Sequence, residues 1–180
     1  TNVAQLISGA DMHFRNDAGT RKRPAYDIDA WQPTIFLGSG SPTGITFGTG
    51  TKFSAYYQDA LFLSDWSYGN LYAVHLTPDG SAYSATAEVF ASGRPFGVAG
   101  LTVNPSDGAL YAVVGGSSQS ALYRITYTGA DPTTPTKPNT KGAEARNQRR
   151  SLEQYHGKQV PAAVNAVWES LDRKSTRLNS

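Results

Sequence analysis

Hydrophobic and polar residues alternate in short runs through the first two thirds of the chain, a pattern typical of half-buried β-strands. Between the runs, Pro78-Asp79-Gly80 and Ser106-Asp107-Gly108 mark turns, because glycine adopts a positive φ without steric cost. The pattern therefore predicts a mainly β fold. The predicted strands are residues 44–47, 60–64, 71–76 and 86–92, then 100–103, 109–114 and 122–127.

The two series of strands resemble each other in sequence. Leu61 corresponds to Leu110 at a spacing of 49 positions, and Leu71-Tyr72 corresponds to Leu122-Tyr123 at a spacing of 51. A period of about 50 residues with four short strands is the length of one β-propeller blade. We therefore expect residues 1–127 to form a partial β-propeller of about two four-stranded blades, with 34–37 ending an earlier blade. Solenoid and sandwich folds remain as alternatives.

The pattern changes after the second series. Residues 128–142 are rich in Thr, Pro, Gly and Lys without periodicity, which predicts a linker. Helical periodicity then predicts helices over 143–156 and 161–171, with Gly157 ending the first and Pro161 in the first turn of the second. Residues 143–171 are therefore expected to begin an α-helical repeat region.

Both ends of the chain indicate a fragment. The chain begins at Thr1 without an initiator Met, and residues 172–180 (DRKSTRLNS) resemble a translated sequencing adapter. We expect these nine residues to be an artefactual tail.

Charge and composition argue against several classes of binding partner and ligand. The net charge is +2, but residues 1–127 carry seven Lys/Arg against nine Asp/Glu, and the last nine residues alone contribute +2. This balance favours neither nucleic acid nor an anionic membrane surface. No apolar run is long enough to span a membrane. The absence of cysteine excludes thiolate ligands and C-x-x-C-H haem attachment within this stretch.

The stretches SDWSYGNLYAVHLTPDG, GALYAVVGG and SALYRITYTG resemble the propeller of bacterial glucose/sorbosone dehydrogenase-like proteins. RRSLEQYHGKQVPAAVNAVWESL is similar to the opening of the HEAT-like helices that follow the propeller in secreted multidomain members. The resemblance implies a periplasmic or secreted protein. It also implies further blades and a C-terminal cytochrome c domain, where C-x-x-C-H would hold haem c.

The same resemblance bears on pyrroloquinoline quinone. Soluble quinoprotein sugar dehydrogenases hold this cofactor with two Arg separated by one residue, and here Arg94 matches the first whereas Phe96 stands at the second. The loop that should carry a quinone-contacting Lys is Asp65–Gly69, which has none. Neutral aromatic residues cannot replace bidentate cations. We therefore expect no cofactor in this stretch and no tight quinone binding. The family's catalytic His lies in blades before Thr1, so the catalytic residues stay unknown.

Four residues form the predicted ligand site: Asp65, Trp66, Tyr68 and Arg94. The two aromatic rings could stack on a sugar while Asp65 accepts its hydroxyls, and loops at one end of a rigid scaffold are common binding sites. In the alternative interpretation, Trp66 packs between blades and Asp65 caps the turn. The three His residues are far apart in sequence, so we expect no metal site.

Two functions follow as expectations. The first is a secreted sugar dehydrogenase-like propeller linked to carbohydrate oxidation and electron transfer, with a carbohydrate, the missing blades and the cytochrome domain as partners. The second is a non-catalytic propeller that serves as a carbohydrate- or protein-binding module. Whether the parent protein is an enzyme is left open by the sequence.

Overall fold

The computed structural model describes residues 1–10, 32–116 and 120–166. Within these ranges the fold is mainly β, as the sequence predicts, with three antiparallel sheets and few helices. The expected tail and the end of the second expected helix lie outside the described residues. The strands are β1 (Asn2–Val3), β2 (Ile35–Phe36), β3 (Pro42–Phe47), β4 (Leu61–Asp65), β5 (Asn70–Asp79), β6 (Ala82–Ser92), β7 (Val98–Asn104), β8 (Ala109–Val114) and β9 (Ala121–Ile125).

The strands follow one another in simple order within each sheet. Sheet I is the pair β1–β2, sheet II has the strand order β3-β4-β5-β6, and sheet III has the order β7-β8-β9. The blade length predicts four strands for each repeat, and sheet II has four. Sheet III has three among the described residues, which correspond to the three strands predicted in the second series, and the chain adopts no further strand between Ile125 and residue 141.

The two larger sheets share a local irregularity in their first strands. The β3–β4 register shifts between Pro42 and Gly44, and the β7–β8 register shifts between Val98 and Gly100. Such shifts are β-bulges, which bend a strand and increase its twist. The repeat seen in the sequence therefore extends to the backbone.

Corresponding residues of the repeat face the same way. Leu61 and Tyr72 of sheet II pack in a cluster with Val3 of sheet I. Their counterparts in sheet III are Leu110 and Tyr123. Leu110 is fully buried in a cluster with residues of sheet II. Each of these sheets therefore packs its equivalent face against the sheet that precedes it.

The opposite faces differ between the sheets. Leu71 of sheet II is fully buried, because sheet III covers it. Its counterpart Leu122 is 65% exposed, and Val113 on the neighbouring strand is also exposed. No described residue covers that outer face of sheet III.

An aromatic cluster fills the space between sheets II and III. Phe53 is almost fully buried and Phe62 is fully buried, and their ring centroids lie 6.0 Å apart. Phe62 also meets Phe90 edge-on, with ring centroids 4.9 Å apart. Leu110 of sheet III packs in the same cluster. Such edge-to-face pairs add stabilisation beyond their buried area.

The first strands of sheets II and III approach closely at Gly44. A Cβ on Gly44 would lie 3.0 Å from the Leu101 backbone nitrogen and 2.9 Å from the Ser64 hydroxyl oxygen. Next to it, the Thr43 hydroxyl donates to the Val98 carbonyl. The contact between β3 and β7 therefore leaves little room for a side chain at position 44.

The predicted linker has no regular secondary structure over 128–140, but it is fastened to the first unit of the fold. A short helix α1 (Ala55–Gln58), which the sequence pattern does not predict, carries the buried Gln58. The Gln58 amide nitrogen donates to the carbonyls of Thr133 and Thr134, and its oxygen accepts from the Thr136 amide. The segment whose composition predicts a linker is therefore held in place by hydrogen bonds to Gln58 at residues 133–136, and we call these residues the strap.

The chain divides into two compact units, and the second contains the described residues 4–10, 32–33, 78–82 and 140–166. Its helix α2 (Ala143–Glu153) begins at the predicted residue and ends three residues earlier than predicted. Glu144 in the first turn and Arg150 in the last complement the helix dipole. Within this unit, Arg149 pairs with Glu153 at 3.1 Å and donates to the Ser81 carbonyl. A further helical segment begins at Pro161, as predicted, and is described through residue 166.

We expect Gly44→Ala to lower the free energy of unfolding by about 1–3 kcal/mol, the usual cost of overpacking a close contact. The matched control is Gly100→Ala, at the corresponding position of sheet III, where an added Cβ meets nothing within 4 Å. The control should change stability by less than about 0.5 kcal/mol. Denaturant unfolding midpoints measure both. Equal effects of the two substitutions would show that the β3–β7 approach is looser than described.

Asp107, in the turn before β8, makes the stability of the fold depend on pH. The Ala109 amide, the Tyr111 hydroxyl and Arg124 all donate to its carboxylate, which lowers the pKa of Asp107 from 3.8 to about 2. Because the pKa is lower in the folded state, the stabilisation is complete above about pH 4 and is lost as the pH falls toward 2. We expect Asp107→Asn to remove this part of the acid dependence of the thermal midpoint. An unchanged acid limb in the variant would contradict the assignment.

Candidate functional site

Two turns meet at one end of sheet II. The Gly93 amide donates to the Gly69 carbonyl at 3.1 Å, and Gly69 has a φ of +65°. A Cβ on Gly69 would lie 2.5 Å from the Gly93 carbonyl oxygen, so the two backbones leave no room for a side chain. This contact joins the loop after β4 to the segment after β6, and it brings Tyr68 close to Arg94.

Tyr68 and Arg94 line a common cleft of about 360 Å³, together with Asn70, Ser92 and Gly93. The Tyr68 side chain is 51% exposed. The Arg94 guanidinium makes no hydrogen bond or ion pair with the part of the chain that the structure describes. Its donors are therefore free for an outside acceptor, and a planar guanidinium suits bidentate recognition of a carboxylate.

A larger cavity of about 720 Å³ adjoins the cleft, and both are lined by Ser92, Gly93 and Arg94. The rings of Phe96 and Tyr123 meet edge-on in this region, with centroids 5.4 Å apart. The remaining lining is mostly apolar: Phe90, Ala91, Pro95, Phe96, Val114, Ala121, Tyr123 and Ile125, with Ser120.

Trp66 lies against sheet III. Its indole nitrogen donates to the Gly115 carbonyl at 2.8 Å, and the ring passes close to Gly97 and Gly116. A Cβ on Gly97 would come within 2.9 Å of that nitrogen. The indole remains 41% exposed. The indole nitrogen therefore ties Trp66 to the segments that flank β7 and β8, and the exposed part of the ring leaves a surface for stacking.

Asp65 is fully buried at the end of β4. Its Oδ1 accepts from the amides of Ser41 and Ser67, at 2.9 and 3.0 Å. Its Oδ2 is buried and has no hydrogen-bond partner among the described residues. The carboxylate therefore organises the turn that presents Trp66 and Tyr68, and it does not line the cleft or the larger cavity.

A second polar cluster lies on β5, β6 and α1. The His75 Nε2 is 3.1 Å from the Glu88 carboxylate, and the imidazole stacks on Tyr56 with ring centroids 3.8 Å apart. Burial, followed by the negative charge of Glu88, raises the pKa of Tyr57. The sequence pattern places His75 on a strand but gives no sign of these partners.

Across the described ranges, no group of three or more His, Asp or Glu side chains is arranged to hold a metal ion. In those same ranges, no helix is long and apolar enough to cross a membrane.

The chain was compared with protein-family models, curated proteins and solved structures. None of them matches it.

The structure brings together two of the four predicted site residues. Tyr68 and Arg94 share the cleft, whereas Asp65 points inward and Trp66 contacts sheet III. Sequence reasoning did not assign Asn70 to the site, although its position two residues after Tyr68 could have suggested it. Nor did it assign Tyr123, which only the packing of the sheets brings to the cavity.

We expect Asp65→Ala to destabilise the fold, because the amides of Ser41 and Ser67 would lose their acceptor at about 1–3 kcal/mol for each. Asp65→Asn keeps an acceptor oxygen in place and should cost clearly less. Denaturant unfolding of the two variants provides the measurement. If Asn proved as damaging as Ala, the carboxylate charge would matter more than its hydrogen bonds.

Proposed function

We propose that sheets II and III are successive blades of a β-propeller. Both are antiparallel with strands in simple order, and their first strands, β3 and β7, lie side by side. Equivalent faces of the repeat pack against the preceding sheet, as stacked blades do. The bulge repeated in each first strand supports the same arrangement.

We further propose that the propeller binds a carbohydrate carrying a carboxylate in the cleft of Tyr68, Asn70 and Arg94. The observation that carries this proposal is the free guanidinium of Arg94 beside an exposed Tyr68 ring. The guanidinium would pair with the sugar carboxylate, and the Tyr68 ring offers a flat apolar face for the sugar. Asn70 and Ser92 add polar groups for hydroxyls.

A role in sugar oxidation is the second candidate. The motifs around residues 64–80 and 108–129, followed by helices, resemble secreted glucose/sorbosone dehydrogenase-like proteins, so the full protein would be periplasmic or secreted and would pass electrons to a cytochrome c domain. In the matched segment Arg94 is a single cation, with Phe96 at the second position. We therefore propose a binding role for this part of the propeller, without tight quinone binding.

Titration with glucuronate and with glucose tests the binding site. We expect Arg94→Ala to weaken glucuronate binding by about 10- to 100-fold, because a hydrogen bond to a charged group contributes about 1.5–3 kcal/mol. Neutral glucose should be almost unaffected. Arg150→Ala, an exposed arginine on α2, is the charge-matched control. Glucuronate affinity that is absent, or unchanged in Arg94→Ala, would overturn the proposal.

A parallel titration with pyrroloquinoline quinone and calcium separates the two candidate functions. We expect no sub-micromolar affinity and no dye-linked glucose oxidation, because two of the expected cations are missing from the matched segments. Sub-micromolar quinone binding that Arg94→Ala weakens sharply would instead favour the oxidoreductase.

A further inference from the structure

The cavity of about 720 Å³ beside the cleft has a chemistry of its own. Its volume lies within the range of small-molecule sites, which are mostly apolar with a few polar groups that fix orientation. Eight of its lining residues are apolar or aromatic, and the polar ones include the segment Ser92–Arg94 at the side of the cleft.

Its floor is built by alternation along β9. Tyr123 lines the cavity and meets Phe96 edge-on, and Ala121 and Ile125 point to the same side. Leu122, between them, lies on the opposite face and is 65% exposed. One face of β9 therefore forms an apolar wall of the cavity. Substitutions at Tyr123 or Ala121 would change this wall, whereas a substitution at Leu122 would not.

The apolar lining of the cavity favours a hydrophobic group over a second sugar unit. A second sugar unit placed in this cavity would find few partners for its hydroxyls, because most of the lining side chains carry no polar atom, and burying unpaired hydroxyls is costly. A hydrophobic group loses nothing by the same transfer and gains from burial. Because Arg94 lines both spaces, a ligand held there by its carboxylate can place an attached apolar group in the cavity.

We infer that the cavity takes the aromatic aglycone of an acidic glycoside, so that the preferred ligand is an aryl glucuronide-type molecule and not the free sugar acid. This inference rests on the proposed function, because it assumes that the sugar acid occupies the cleft at Arg94. The aglycone contacts Phe96 and Tyr123, and the sugar contacts Tyr68.

Calorimetric titration with glucuronate and with phenyl β-glucuronide tests the inference on the intact chain. We expect phenyl β-glucuronide to bind at least about tenfold more tightly than glucuronate. Tyr123→Ala should remove most of that difference and leave glucuronate affinity unchanged. Ala121→Phe, which fills the cavity from the same face, should do the same without removing a ring. Leu122→Ala, on the opposite face of the same strand, is the matched control and should preserve the difference.

The outcomes distinguish the two proposals. Equal affinities for the two ligands, or a preference that survives both Tyr123→Ala and Ala121→Phe, would overturn the aglycone site while leaving the sugar-acid site intact. Binding of neither ligand would overturn both proposals. Tight binding of phenyl β-glucuronide that is lost in Ala121→Phe but insensitive to Arg94→Ala would support the apolar cavity and contradict the acidic-sugar cleft.

Discussion

The packing of sheet II against sheet III is the interaction on which the rest of the first unit depends. Phe62 and Leu71 of sheet II are buried together with Leu110 of sheet III in a single cluster. Since apolar area removed from water contributes about 25 cal/mol per Å², this aromatic layer supplies much of the driving force for stacking the sheets. The close approach of β3 to β7 at Gly44 fixes how the two sheets meet. The positions of Trp66 and Tyr123 follow from that register.

The strands could be predicted because alternation and turn chemistry are local signals. The bounds of β8 are those predicted, and β3, β4 and β9 differ from prediction by one or two residues at their ends. The short helix α1 and the strap at 133–136 could not be predicted in this way. They depend on Gln58, which hydrogen-bonds to Thr133, Thr134 and Thr136, all more than 70 positions away. A buried glutamine has no local sequence signature when most of its hydrogen-bond partners are distant in sequence, and among its partners in the described residues only the Phe53 carbonyl is close.

The candidate site shows the same division between local and distant causes. The loop Asp65–Tyr68 could be identified from its turn residues and aromatic rings. The neighbouring position of Arg94 follows from the pairing of β5 with β6, which places Gly69 opposite Gly93 at the open end of the hairpin. Asp65 was predicted to accept the hydroxyls of a sugar because loops at one end of a rigid scaffold are common binding sites, with capping of the turn as the alternative. It is buried because the Ser41 amide, 24 positions earlier, reaches its carboxylate.

The burial of Asp65 makes the binding proposal more specific. With that carboxylate satisfied on one oxygen by two amides and directed into the fold, the cleft contains no negative side chain among its lining residues. In the proposed site, a sugar carboxylate at Arg94 would meet a cation without facing a nearby like charge, whereas an exposed Asp65 would have repelled it. The burial of Asp65, which organises the turn, would therefore favour acidic sugars over neutral ones in the proposed cleft. The apolar lining of the adjoining cavity would then favour an acid that carries an apolar group.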